Sequence, residues 1–287
     1  MLKLSLQLAL QDRPSPLVVV VRPSVARNIL FMAEEIAFYA ICSAGFFLGA
    51  VLDSFAGVCV ERVGTGQSWK RGRSKCNSCN STLRSRDLVP LFSWLYYFGR
   101  CSVCTSKVPS IYPISEVVLG SLFLLSYLRY GLSPLLLLIY VFLFLLAILV
   151  LYDIRHTIVP FTLSLSLVLL GASVAVLEQS DTAHLATVFI SAGCIALGFF
   201  LLHVLSKGKW MGLGDTPIAL ALSLVVGTQA LPGLLFSFWS GAVIGILILA
   251  TTPKGRRIGI EVPFVPFLAF GYLLALFTQW NPLSFVL

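Results

Sequence analysis

Residues 134–153 read PLLLLIYVFLFLLAILVLYD. From Pro134 to Tyr152 there is no charge, and then comes Asp153. A membrane-spanning helix needs about 20 mostly apolar residues, so this run has the length and composition of one span closed by a carboxylate. Outward from it, seven further runs of the same kind lie at roughly 36–60, 112–128, 161–178, 185–205, 216–231, 233–252 and 262–280. Thr216 to Thr252 is uncharged but too long for one crossing, and Gly227, Pro232 and Gly233 mark the turn that divides it. Two spans are impure: 36–60 holds Asp53 and 112–128 holds Glu116. The expected fold class is an all-α polytopic membrane protein with about eight transmembrane helices.

Composition agrees. The chain has 287 residues, 58% hydrophobic and 11% charged, where a soluble domain carries about 25% charged residues. Its 20 Lys and Arg against 12 Asp and Glu give a net charge of +8. In a membrane protein such an excess belongs to cytoplasmic loops, so no nucleic-acid partner is expected and the surrounding partner is membrane lipid. Segment 61–110 carries nine basic residues, among them Arg62, Lys75, Arg84, Arg100 and Lys107. The loops at 153–160, 206–215 and 253–261 carry one, two and three. The alternation puts these on the cytoplasmic side and both termini outside. Lys3, Arg13, Arg22 and Arg27 argue the other way for the N-terminus. Residues 1–35 do not resemble a cleaved signal peptide, because Arg13, Pro14, Arg22 and Pro23 interrupt their apolar runs. They read as a poorly defined N-terminal leader, followed by a first transmembrane helix at 36–60, an insertion at 61–110 and a membrane core at 111–287.

The insertion holds Cys76-x2-Cys79 and Cys101-x2-Cys104. Each C-x-x-C turn aims two thiolates at one point, and two such turns build a closed tetrahedral zinc site with no position left for water. Two disulfides are the alternative, and they require an oxidising compartment, whereas the charge pattern places the loop in the cytoplasm. Cys42, Cys59 and Cys194 lie in apolar stretches, where an inert thiol is the default.

Carboxylates at bilayer depth are costly and usually functional. Asp153 ends one span and Asp215 opens another, in Gly212-Leu213-Gly214-Asp215-Thr216-Pro217. Two spans separate them, so both emerge on one face. Paired carboxylates share a proton; the ionised one can deprotonate a water while the neutral one polarises a scissile carbonyl. The plain alternatives are an ion pair of Asp153 with Arg155 and a helix N-cap at Asp215. Gly212 and Gly214 would let a substrate backbone approach the carboxylate. H-E-x-x-H, G-x-S-x-G and phosphate-binding glycine loops are absent from the sequence.

Several stretches together resemble the prepilin (type IV leader) peptidases, over about residues 45–275. They are Gly49-Ala50-Val51-Leu52-Asp53 with Glu61-Arg62; the cysteine loop with Val89-Pro90-Leu91-Phe92-Ser93-Trp94 and Tyr112-Pro113-Ile114-Ser115-Glu116; Asp153 with Ile158-Val159-Pro160; Gly212-Leu213-Gly214-Asp215; and Val262-Pro263-Phe264-Val265-Pro266-Phe267. The resemblance implies an aspartyl endopeptidase of the inner (cytoplasmic) membrane. It would use Asp153 and Asp215 to remove basic leaders from type IV prepilin or pseudopilin precursors on the cytoplasmic side. It further implies structural zinc on Cys76, Cys79, Cys101 and Cys104, a supporting role for Glu116, and, for members that methylate the new N-terminus, S-adenosylmethionine. The family more often has Gly at Trp210, Lys at Pro217, Asn at Asp53 and Gly at Val265. A different class of function, a non-catalytic membrane scaffold whose zinc loop recruits partners, needs no proximity between Asp153 and Asp215.

Overall fold

The computed structural model describes residues 23–62, 72–76, 78–179, 181–251 and 262–282. The segment 1–22 and the basic loop expected at 253–261 lie outside the described residues. Two compact units divide the chain, Met1–Ile41 and Cys42–Leu287, and both aspartates and the four loop cysteines lie in the second.

The described secondary structure is helical. α1 runs Pro23–Arg62, α2 Phe92–Tyr96, α3 Ile111–Tyr130, α4 Pro134–His156, α5 Phe161–Glu178, α6 Thr182–Ser206, α7 Asp215–Val226, α8 Ala230–Thr251 and α9 Val265–Thr278. The first helix begins well before the apolar run at 36–60. Arg27, Glu34 and Glu35 interrupt the hydropathy but not the helix, because Arg and Glu are good helix formers. Ser133 caps α4, accepting the Leu136 N–H at 3.3 Å with Pro134 in the first turn.

Six stretches are long and apolar enough to cross a membrane: Phe31–Arg62, Ile111–Tyr130, Pro134–His156, Phe161–Glu178, Thr182–Ser206 and Asp215–Thr251. The chain is therefore a multi-pass membrane protein. The last stretch is two helices. Gly227, at φ +63°, ends α7, and the 3₁₀ turn Gly227–Gln229 leads into α8. α8 is antiparallel to α9, with Gly241 beside Phe264 and Phe267 and Gly233 against Tyr272. The Tyr272 hydroxyl reaches Ser223 of α7 at 2.9 Å. α7 thus runs alongside α9 and opposite to α8.

Each of the eight apolar runs expected from sequence holds a helix, but α7 and α9 are shorter than the runs 216–231 and 262–280. Their 12 and 14 residues make helices of about 18 and 21 Å, against a hydrocarbon thickness of about 30 Å. Neither helix alone is long enough to cross it.

In lipid there is no hydrophobic drive between helices, and close packing takes its place. Small residues permit it here. A Cβ on Gly49 of α1 would stand 2.7 Å from the Leu119 carbonyl oxygen of α3, and one on Gly271 of α9 would stand 2.2 Å from the Ser237 nitrogen of α8. Around these contacts a core of Phe123, Phe142, Leu149, Leu167, Ile218, Leu222, Leu268 and Tyr272 is closed to solvent.

Gly271→Ala should force α8 and α9 apart and cost about 1–3 kcal/mol, as overpacking does. Gly193→Ala, where a Cβ meets nothing within 4 Å, should be neutral or slightly stabilising. Thermal unfolding in detergent, followed by size-exclusion fluorescence, distinguishes the two.

Candidate active site and metal centre

Asp153 lies in the last turn of α4 and is only 5% exposed. A carboxylate at a helix C-terminus faces the negative end of that helix's dipole. The cost is offset from another helix: the Val265 N–H, first in α9, donates to Asp153 Oδ2 at 3.2 Å. The positive end of α9 therefore holds the anion. The donor is backbone, so a valine serves as well as the glycine that the family pattern carries. Arg155, the ion partner that the plain alternative gave Asp153, points elsewhere and pairs with Glu61 at the end of α1, at 3.1 Å.

Asp215 is the first residue of α7, with Gly214 as the capping position, so its side chain is not an N-cap. It is 8% exposed. Pro217 falls in the first turn, where no helical partner for its missing N–H is needed. The preceding turn is closed by the Asp215 N–H on the Gly212 carbonyl and the Thr216 N–H on the Leu213 carbonyl, both at 3.3 Å. The Gly212 N–H faces the Asp215 carboxylate, and the Asp153 carboxylate lies within electrostatic reach of it. Beside them the buried Thr216 hydroxyl has no hydrogen-bond partner among the described residues.

The two glycines do different things. A Cβ on Gly212 would stand 3.5 Å from Asp215 Oδ2, so glycine keeps that approach open. A Cβ on Gly214 would stand 2.6 Å from Val159 Cβ. Gly214 therefore makes room for the α4–α5 connection, which follows Asp153. Its missing side chain is what lets the two aspartate-bearing segments meet.

A second polar region lies between the helix ends and the 61–110 insertion. It is a cavity of about 720 Å³. Asp53 and Glu116, 3% and 7% exposed, line it together with Glu61, Tyr112, Trp94 and Arg155. Glu116 accepts the Leu91 N–H at 2.8 Å. Leu91 has φ +62°, a costly conformation for a branched side chain, so Glu116 fastens the insertion to α3 at a strained point. The Tyr112 hydroxyl donates to Glu61, which also takes Arg155, tying α1, α3 and α4 together.

The four cysteines converge, with every pair of Sγ atoms within 4.8 Å. Cys76 Sγ and Cys104 Sγ are 3.8 Å apart. Two thiolates about 2.3 Å from one tetrahedral ion would be separated by about 3.8 Å, whereas a disulfide would bring them to about 2.05 Å. The cluster can therefore hold a metal ion. Its two halves are copies. The Asn80 N–H bonds the Cys76 carbonyl and the Thr105 N–H the Cys101 carbonyl, at 2.9 and 3.1 Å. The Cys76 N–H bonds Ser81 and the Cys101 N–H bonds Ser106. Asn80 and Thr105 are both left-handed, at φ +55° and +57°. Ser81 and Ser106 hydroxyls lie against Cys79 and Cys104 sulfurs at 2.9 and 3.1 Å. The N–H groups of Cys79 and Ser78 hold the Cys76 thiol down at about 6, favouring the thiolate a metal requires. The sequence reading caught the cysteine spacing but missed the duplication, which is visible as Cys79-Asn80-Ser81 against Cys104-Thr105-Ser106.

Comparison with known proteins gives the family. The model of the bacterial peptidase A24 N-terminal domain matches residues 47–130, and that of the type IV leader peptidase family matches residues 140–250. The chain is similar to the prepilin leader peptidase/N-methyltransferase of Myxococcus xanthus, 32% identical over 217 residues, which are 73% of this chain and 63% of that one. It is similar to that of Bacillus subtilis, 28% identical over 231 residues, 80% of this chain and 91% of that one. It is 30% identical to that of Legionella pneumophila over 208 residues, 71% of this chain and 72% of that one. No solved structure matches. The chain belongs to the type IV leader peptidase family.

Gly214→Ala should push the α4–α5 connection away and lower leader removal by about tenfold or more. Adding Val159→Gly, which deletes the opposing atoms, should recover part of the loss. Such coupling between touching residues is what a double-mutant cycle detects, with precursor processing in lipid as the readout.

Proposed function

We propose that Asp153 and Asp215 are the catalytic pair of a peptidase that removes basic leaders from type IV prepilin or pseudopilin precursors. The carrying observation is that two buried aspartates from distant spans interact electrostatically. A scaffold with a partner-recruiting loop has no reason to bury them together. One carboxylate of the pair is ionised and takes a proton from water. The other carries a proton and donates to the carbonyl of the bond being cut. The Val265 N–H fixes Asp153, and the Gly212–Gly214 turn fixes Asp215. The basic loops before α3 and between α6 and α7 support a cytoplasmic active site in the inner membrane.

Cys76, Cys79, Cys101 and Cys104 would hold one structural zinc ion, all four positions being protein sulfur. Glu116 supports the loop that carries them. The relatives' names include N-methyltransferase, which implies S-adenosylmethionine as methyl donor. The 720 Å³ cavity is of the size that small ligands occupy. It offers the Asp53 and Glu116 carboxylates for a sulfonium charge and the Trp94 ring for stacking. When bound, that cofactor supplies an activated methyl group.

Asp153→Asn and Asp215→Asn should each abolish leader removal while leaving insertion intact, and the double variant should be little worse, since a pair acts as a unit. Co-expression with a prepilin precursor, read by the mass of its N-terminus, is the test. Wild-type processing by either variant would refute the pairing.

Purified protein should contain about one zinc per chain. Cys76→Ser or Cys101→Ser should lower that content in elemental analysis and expose the 61–110 segment to protease. Finding the four thiols oxidised in pairs would overturn both metal and cytoplasmic placement.

A further inference from the structure

The 720 Å³ cavity takes part of its lining from α1 and α3, Asp53 and Glu116 included, and part from the insertion. The insertion contributes a third carboxylate, Asp87, together with Trp94 and Tyr97. Asp87 belongs to the 3₁₀ turn Ser85–Leu88. Its Oδ2 accepts the Arg84 N–H at 2.8 Å, which fixes the carboxylate in place. Its Oδ1 is closed to solvent and has no hydrogen-bond partner among the described residues. The Tyr97 hydroxyl stands near the carboxylate but closes no bond to that oxygen. A buried acceptor without a donor is costly. One fixed in a cavity wall is a place for a donor that arrives with a ligand.

Leu91 sets the scale. Its N–H rests on Glu116 at 2.8 Å. Asp87 comes four residues before it and Trp94 three after. Even fully extended, four residues span only about 14 Å, so Asp87 stays close to the backbone that Glu116 holds. The Trp94 ring is pinned along one edge. Its Nε1–H donates to the Val108 carbonyl at 3.4 Å, and a Cβ on Gly99 would stand 2.8 Å from the ring. A ring held in this way is a platform for stacking. In S-adenosylmethionine the sulfonium and the adenine are attached to the same ribose. With the sulfonium at Asp53 and Glu116 and the adenine on Trp94, the ribose is the part between them. Its hydroxyls are donors, and Asp87 Oδ1 is the open acceptor.

We propose that Asp87 is a specificity residue of this cavity: its Oδ1 accepts a ribose hydroxyl, so that the cavity selects a ribonucleoside. This rests on the methyl-donor reading of the cavity. The test is binding rather than methylation. The purified full chain in lipid is titrated calorimetrically with S-adenosylhomocysteine, whose neutral thioether leaves the sulfonium out, and with the same compound lacking both ribose hydroxyls. The wild-type chain should bind the second compound about tenfold or more weakly, as a site built around a hydroxyl does. Asp87→Asn keeps an acceptor for the Arg84 N–H and puts an uncharged amide donor where the open oxygen stood. It should weaken S-adenosylhomocysteine by about tenfold or more, leave the hydroxyl-free compound as weak as before, and leave zinc content unchanged. Equal affinity of the wild-type chain for both compounds would mean that Oδ1 holds only water, and would overturn the assignment without reference to any variant. So would wild-type affinity for S-adenosylhomocysteine in Asp87→Asn. If the wild-type chain binds neither compound, the methyl-donor reading falls, and the role of Asp87 falls with it.

Discussion

The bond from the Val265 N–H to Asp153 is the constraint on which the site depends. It joins residues 112 apart in sequence, and it reverses the electrostatic setting of Asp153. Left to its own helix, that carboxylate would face the negative end of α4. Held by the first N–H of α9, it faces a positive helix end instead.

α7 repeats the device. Its N-terminus carries the other aspartate, Asp215 being its first residue. The two short helices run side by side, joined through Ser223 and Tyr272, and both are backed by α8, which Gly233 and Gly271 bring into backbone contact with α9. Gly214 completes the assembly by letting Val159 into the space where a side chain would stand. The zinc-type loop is anchored independently, through Glu116 to Leu91, and through Glu61 to Tyr112 and Arg155. Arg155 and Asp153 are two residues apart on α4 and so point to different sides of it, one toward the insertion and one toward α9.

Much of this was legible in the sequence. The uncharged run Pro134–Tyr152 announces its helix, and paired C-x-x-C spacing announces the sulfur cluster. Asp153 and Asp215 stand out because carboxylates at span ends are expensive. What was not legible depends on backbone groups and on contacts across the chain. An N–H donor such as that of Val265 leaves no mark in residue type. The partner of Arg155, Glu61, lies 94 residues away, a distance at which sequence spacing says nothing. The packing of Gly214 on Val159 is hidden for a similar reason: a glycine signals close approach but does not say by what. Hydropathy also fixed the start of α1 too late, since it registers Glu34 and Glu35 as breaks where helix propensity does not.

The central claim is that Asp153 and Asp215 face one another. The most direct measurement replaces both with cysteine in a chain whose Cys42, Cys59 and Cys194 are alanine, followed by mild oxidation in lipid and mass mapping. A disulfide joining positions 153 and 215, with the four loop cysteines unchanged, is the result the account predicts. Free thiols at both positions, each labelled independently of the other, would contradict it.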